Sequence, residues 1–123
     1  MDIEVKKCLG LDCTLRDGGY YTNWDFAEDL VKSYYLEMAK IRTVDYIEIG
    51  YFSPKSTGLY RGQYYNLSQS EIETARQFSN KRISVMINSK EWNVNSFREL
   101  LSSSKIEGVD LLRFAVDPSK MED

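Results

Sequence analysis

At 123 residues, 42% hydrophobic and 28% charged, the chain has the size and composition of one small globular domain. A net charge of −3 with no Lys/Arg run argues against nucleic acid or an anionic membrane as a partner. No apolar run approaches the roughly 18 residues that span a bilayer, and Met1 to Val5 lacks the basic-then-apolar form of a signal peptide, so a cytoplasmic location is expected.

Residues 8–15 read as a buried strand that ends in the charged, glycine-bearing turn Arg16-Asp17-Gly18-Gly19. Cys8 and Cys13 share that extended segment, where a bridge would have to collapse about 16 Å of strand, so both are expected as free thiols. A helix follows from about Phe26 to Arg42, with Phe26, Leu30, Val31, Tyr34, Met38 and Ile41 at helical spacing. Asp45 to Gly50 reads as a second strand. Tyr51 to Leu67, with Pro54, Gly58 and Gly62, reads as a long loop of the kind that often carries function.

Ser68-Gln69-Ser70-Glu71 is a capping box that opens a helix to about Phe78. Arg82 to Ile87 is a third strand. Asn93 or Asn95 caps a third helix with Val94, Phe97, Leu100 and Leu101 as its apolar face. Val109 to Ala115 is a fourth strand, stopped at Asp117-Pro118. The order β-α-β-α-β-α-β calls for an α/β fold with a parallel sheet and helical crossovers. A small open sheet and the first half of a (β/α)8 barrel both fit, and in both the site lies at the carboxyl ends of the strands.

The residues expected there are Arg16, Asp17, Glu48, Asn88, and Arg113 with Asp117. Asp17 offers hard oxygen ligands to a divalent cation, and Arg16 beside it suits a carboxylate or an enolate. Together they suit making or breaking a C–C bond next to a carbonyl; equally, they are an ion pair closing a strand. Glu48, between Ile47 and Ile49, points away from both, either as a site carboxylate or as a structural partner of Arg16 or Arg113. Asn88 and Arg113 are weaker candidates for substrate contact. The stretch Tyr60-Arg61-Gly62-Gln63-Tyr64-Tyr65 either covers a substrate, packs, or meets another subunit. Tyr20 and Tyr21 either donate hydrogen bonds into the site or cap the sheet. The chain has no His, which removes imidazole chemistry from these residues.

Leu11-Asp12-Cys13-Thr14-Leu15-Arg16-Asp17-Gly18-Gly19 closely resembles the Asp-x-Thr-Leu-Arg-Asp-Gly signature of the DRE-TIM metallolyases. That group includes hydroxymethylglutaryl-CoA lyase, 4-hydroxy-2-oxovalerate aldolase, and the isopropylmalate and homocitrate synthases. Tyr46-Ile47-Glu48-Ile49-Gly50 resembles the second strand of the family, and Phe52-Ser53-Pro54-Lys55 the loop after it in the lyase. Arg16-Asp17-Gly18-Gly19-Tyr20 followed by Asn23-Trp24-Asp25-Phe26 is most similar to proteins described as 4-hydroxy-2-oxovalerate aldolase-like.

The resemblance implies the N-terminal part of a TIM (β/α)8 barrel, about four strands and three helices. Residues 1–123 would then form a single but incomplete domain, the N-terminal half of the barrel. It implies Asp17 as a ligand of Mg2+ or Mn2+, with the remaining ligands outside this chain, and Arg16 as the group that stabilises an enolate. It implies a small 2-oxo or hydroxy acid as substrate. Tyr20 stands where the family has His or Gln, so the proton-transfer route is expected to differ, with Tyr20 and Glu48 as the candidates. The competing readings are an acyl-CoA-dependent synthase of the Claisen type and a non-catalytic binding or assembly module. Half a barrel exposes strand edges, so a homo-oligomer is expected.

Overall fold

The computed structural model describes residues 8–22, 24–54 and 62–116, with Tyr21 described by its backbone alone. Lys55, Tyr60, Arg61, Asn23, Asp117 and the Tyr21 side chain, all named above, lie outside the described residues. In chain order the elements are β1 (Leu11–Asp12), α1 (Thr14–Thr22), α2 (Glu28–Ala39), β2 (Tyr46–Phe52), α3 (Gln69–Ser79), β3 (Arg82–Asn88), α4 (Val94–Ser102) and β4 (Leu111–Ala115). Short 3-10 turns occupy Ser89–Glu91 and Ser104–Ile106. The four strands form one parallel sheet in the order β1-β2-β3-β4. No described helix is long and apolar enough to cross a membrane.

The first segment corrects the sequence expectation. The strand is two residues long, and Arg16 to Gly19 lies inside α1, a fourth helix, instead of in a turn. Two glycines in mid-helix cost about 1 kcal/mol each relative to Ala, so tertiary contacts must hold α1 together. The Asp12 carboxylate starts it by accepting from the Thr14 N–H at 3.1 Å. Leu15 and Gly19, one turn apart, form its buried face. A Cβ on Gly19 would stand 1.9 Å from Cδ1 of Trp24, so only glycine admits the indole there. Gly18 has open space around it.

The later helices follow their signals more closely. Ser68 and Glu71 form the expected capping box of α3, and Asn93 with Ser96 forms one at α4. Asn80 closes α3 in the left-handed conformation that Asn tolerates. The expected face of α2 holds in part. Val31 is buried and Phe26, Tyr34 and Met38 pack against the core, joined by Tyr35, whereas Leu30 (60% exposed) and Ile41 face water. On α4, Leu100 is buried and Phe97 packs partly, but Val94 and Leu101 are exposed.

Val44-Asp45 and Val109-Asp110 lead into β2 and β4 in the same way. Asp45 accepts from the Gly10 N–H and Asp110 from the Ile83 N–H, both at 2.8 Å. Each carboxylate thus ties its strand to the preceding one, and no apolar periodicity announces this pair of locks.

One face of the sheet carries Ile47, Phe52, Ile83, Val85 and Ile87, all fully buried and forming the core with α2 and α3. The other face carries Glu48, Ser84 and Met86, with Leu111 and Arg113 of β4 in register beside Ser84 and Met86. β2 changes phase between these layers. Glu48 pairs with Ser84 but Tyr51 pairs with Met86, so two residues of β2, Ile49 and Gly50, oppose one of β3. The bulge turns Tyr51 onto the same face as Glu48, where unbroken alternation would have sent it to the other. Gly50 lies against the 62–67 segment, where a Cβ would come within 2.1 Å of the Tyr64 carbonyl. The Tyr51 N–H donates to that carbonyl at 2.9 Å, and the Leu67 N–H donates back to the Tyr51 carbonyl at 3.0 Å.

Two neighbouring glycines therefore answer oppositely to a methyl group. Gly18→Ala should stabilise the fold by about 0.5–1 kcal/mol through helix propensity alone. Gly19→Ala should destabilise it by about 1–3 kcal/mol by overpacking Trp24. Urea unfolding of the two variants measures both, and equal shifts would refute the Gly19–Trp24 fit.

Candidate active site

Glu48 is fully buried on β2, and three side chains from three other elements meet it. Arg16 on α1 donates from Nε to Oε1 at 3.0 Å. Arg113 on β4 donates from Nη1 to both oxygens at 3.2 Å. Ser84 on β3 donates from Oγ to Oε2 at 2.8 Å. A carboxylate sealed from water is stable only with such donors. The cluster draws α1, β2, β3 and β4 to one point.

Arg16 also donates from Nη1 to Oδ1 of Asp17 at 3.1 Å. Its own side chain is 15% exposed and that of Asp17 is 66% exposed. Burial by itself lowers the pKa of the guanidinium, but the hydrogen bond and charge of Glu48 carry it above the usual arginine value. The guanidinium is thus fixed by Glu48 directly beside a solvent-facing carboxylate. Such a pre-oriented donor is what a developing oxyanion requires.

An aromatic cluster flanks this pair. Trp24 donates from Nε1 to the Arg16 carbonyl at 3.0 Å, and its backbone N–H donates to the Gly19 carbonyl at 3.0 Å. Trp24 does this with φ of 59°, a left-handed conformation that is costly for a bulky side chain. Its ring centroid lies 4.7 Å from those of Tyr20 and Tyr65 and 5.8 Å from that of Tyr51. The Tyr20 and Tyr51 hydroxyls are hydrogen-bonded at 3.0 Å. Tyr65 donates to Oε1 of Glu91 at 2.7 Å. Burial, with the Tyr20 hydrogen bond second, pushes the Tyr51 phenol well above the usual tyrosine pKa, while Arg16 pulls it the other way.

The expected residues are thus brought together unequally. Arg16, Asp17, Glu48 and Arg113 form one connected cluster. Tyr20, 64% exposed, joins its edge through Tyr51. Asn88 sits at the end of β3, and no hydrogen bond ties it to the cluster. Of the aromatic stretch expected to cover a substrate, to pack or to meet another subunit, Tyr64 and Tyr65 are packed into the core. Cys8 and Cys13 are free thiols, as expected.

Sequence reading missed Ser84, Trp24 and Tyr51. A lone serine in the apolar run Ile83 to Ile87 was a usable signal for Ser84. Tyr51 had none, because the bulge that aims it is not written in the local pattern.

Asp17 fits one coordination position of a hard cation such as Mg2+ or Mn2+, by its oxygens and its exposure. Among the described residues no group of three His, Cys, Asp or Glu side chains could hold a metal ion. The described residues by themselves therefore form no complete metal centre.

Because the cluster rests on one buried carboxylate, Glu48→Gln should remove the charge that both guanidiniums share, leaving Arg16 only the exposed Asp17. The expected cost is about 3 kcal/mol, the low end for a buried ion pair broken from one side, since both arginines keep contact with water. Denaturant unfolding checks it, and a change below about 0.5 kcal/mol would show that the cluster is not structural.

No family model and no curated protein matches the chain. Among solved structures it is similar to the crystal structure of "the N-terminal domain of a putative aldolase from Bacteroides vulgatus", with 41% sequence identity and a TM-score of 0.80. The match covers 90% of this chain and 36% of that one, so this chain spans about a third of the neighbour's length. In sequence and in fold, then, this α/β chain with its four-stranded parallel sheet resembles an aldolase N-terminal domain.

Proposed function

We propose that this chain is the N-terminal part of the (β/α)8 barrel of a metal-dependent aldolase or lyase of the DRE-TIM type, acting on a 2-oxo or 3-hydroxy acid in the cytoplasm. The observation that carries the reading is Arg16, fixed by the fully buried Glu48 and set directly beside the solvent-facing Asp17. The strand order supports the barrel. Consecutive parallel strands with their α2 and α3 crossovers on one face make a barrel wall, whereas a doubly wound sheet reverses its order. The other face, with Glu48, Ser84 and Arg113, then lines the interior.

In the cleavage direction, the bond between the carbinol carbon and the carbon next to the carbonyl breaks. Its electron pair becomes an enolate, and the hydroxyl proton leaves. Arg16 holds a donor where the enolate oxygen develops. A phenol at neutral pH donates a proton more readily than it takes one. Tyr20 therefore serves as hydrogen-bond donor or acid, and the hydroxyl proton passes to a base outside the described residues. Glu48 has all its contacts committed to Arg16, Arg113 and Ser84, so its part is to position the guanidinium. Asp17 would hold Mg2+ or Mn2+ with ligands from outside this chain, and a cation bound there supplies Lewis-acid polarisation of the substrate carbonyl. Arg113 and Asn88 line the approach for the acid group. The exposed apolar residues at the β4 edge, Leu111, Phe114 and Val116, fit self-association, and monodisperse monomer in light scattering at high concentration would count against it.

The direct test is 2-oxo acid release from 4-hydroxy-2-oxo acids by the intact protein with added Mg2+ or Mn2+. Arg16→Lys should lower kcat by about 10²–10³-fold, the loss typical of an oxyanion donor. Asp17→Asn should remove the response to the cation. Cleavage that ignores both substitutions would overturn the assignment. No cleavage, with acyl-CoA-dependent condensation instead, would favour the Claisen-type synthase. Neither activity would favour a non-catalytic module, the reading to which Tyr20 in place of His or Gln lends weight.

A further inference from the structure

We propose that Tyr51 is the positioning residue that fixes the exposed Tyr20 hydroxyl on the Arg16 side of α1. Three observations meet at this residue. The bulge at Ile49–Gly50 turns Tyr51 onto the Glu48 face. Its hydroxyl lies 3.0 Å from that of Tyr20. Its ring is 4% exposed and locked between Trp24 and Tyr65, with the Tyr65 centroid at 4.7 Å. Tyr20, by contrast, is 64% exposed, with its ring edge-on to Trp24.

Arg16 and Tyr20 stand one turn apart on α1 and so project from the same side of the helix. The 3.0 Å contact lets either hydroxyl donate. When Tyr51 donates, the Tyr20 proton is left for a bound substrate. Tyr51, itself held by Trp24 and Tyr65, thus passes a fixed position to an exposed phenol.

The proposal rests on the aldolase reading for its kinetic consequence but not for its structural one, so the test has two arms on the intact protein. Tyr51→Phe keeps the ring contacts and deletes only the hydroxyl. In protein labelled with 3-fluorotyrosine, and with the Tyr20 signal assigned through Tyr20→Phe, the H2O/D2O isotope shift of the Tyr20 fluorine reports its exposure. Tyr51→Phe should raise that shift toward the value of free fluorotyrosine; an unchanged shift overturns the proposal whether or not the protein cleaves aldols.

In the kinetic arm, Tyr51→Phe should lower kcat about tenfold with KM little changed. The double variant with Tyr20→Phe should be no slower than Tyr20→Phe alone, because Tyr51 acts through Tyr20. Multiplicative losses would overturn the positioning role. If the intact protein cleaves no aldol, the aldolase reading fails and the fluorine measurement alone decides the role of Tyr51.

Discussion

A carboxylate removed from water demands donors, and Glu48 obtains them from every neighbouring layer. Arg16 comes from α1, Ser84 from β3 and Arg113 from β4. Hydrophobic contact on the opposite face of the sheet sets how the strands stack, but it does not distinguish one polar register from another. The Glu48 cluster does. A slip of one residue between β2 and β3 would put Glu48 among isoleucines and take from both guanidiniums their shared buried partner.

From this one constraint follows the shape of the candidate site. Arg16 must reach inward to Glu48, so α1 must lie across the end of the sheet. α1 has two glycines and poor helical propensity, and its fit depends on Gly19 admitting the Trp24 indole. Trp24 in turn accepts a left-handed backbone to place its ring there and to bond the Arg16 carbonyl. Local preference gives way three times along this short path, at the helix glycines, at Trp24 and at the β2 bulge. Such departures gather where an arrangement of side chains is held against the default geometry. They surround Arg16 and Asp17, the two residues best suited to a cation and an oxyanion side by side.

Similarity to an aldolase N-terminal domain bears on fold and on general kind. The particulars of the chemistry rest on the site. Here the site offers a fixed guanidinium, an exposed carboxylate and a tyrosine pair, with no imidazole anywhere in the chain. A cation bound among these groups would draw most of its ligands from outside the described residues.

By itself the sequence determined the alternation of strands and helices, the capped starts of α3 and α4, and the nature of the polar residues at the strand ends. These depend on near-neighbour chemistry: apolar period, cap residues, and one polar side chain set in an apolar run. It also presented Arg16, Asp17 and Glu48 as a candidate set. It did not determine that Arg16 to Gly19 is helical, because two glycines lack helical propensity and the helix is held by the bond of Arg16 to distant Glu48 and the fit of Gly19 against Trp24. It placed Leu30, Val94 and Leu101 on buried faces and left out Tyr35, because the edges of a helix's apolar face depend on what the helix packs against. Nor did it single out Tyr51, because a bulge reverses the alternation by which a strand is read. Tertiary structure alone decided these points. Each is settled by a contact between segments that neither segment encodes alone.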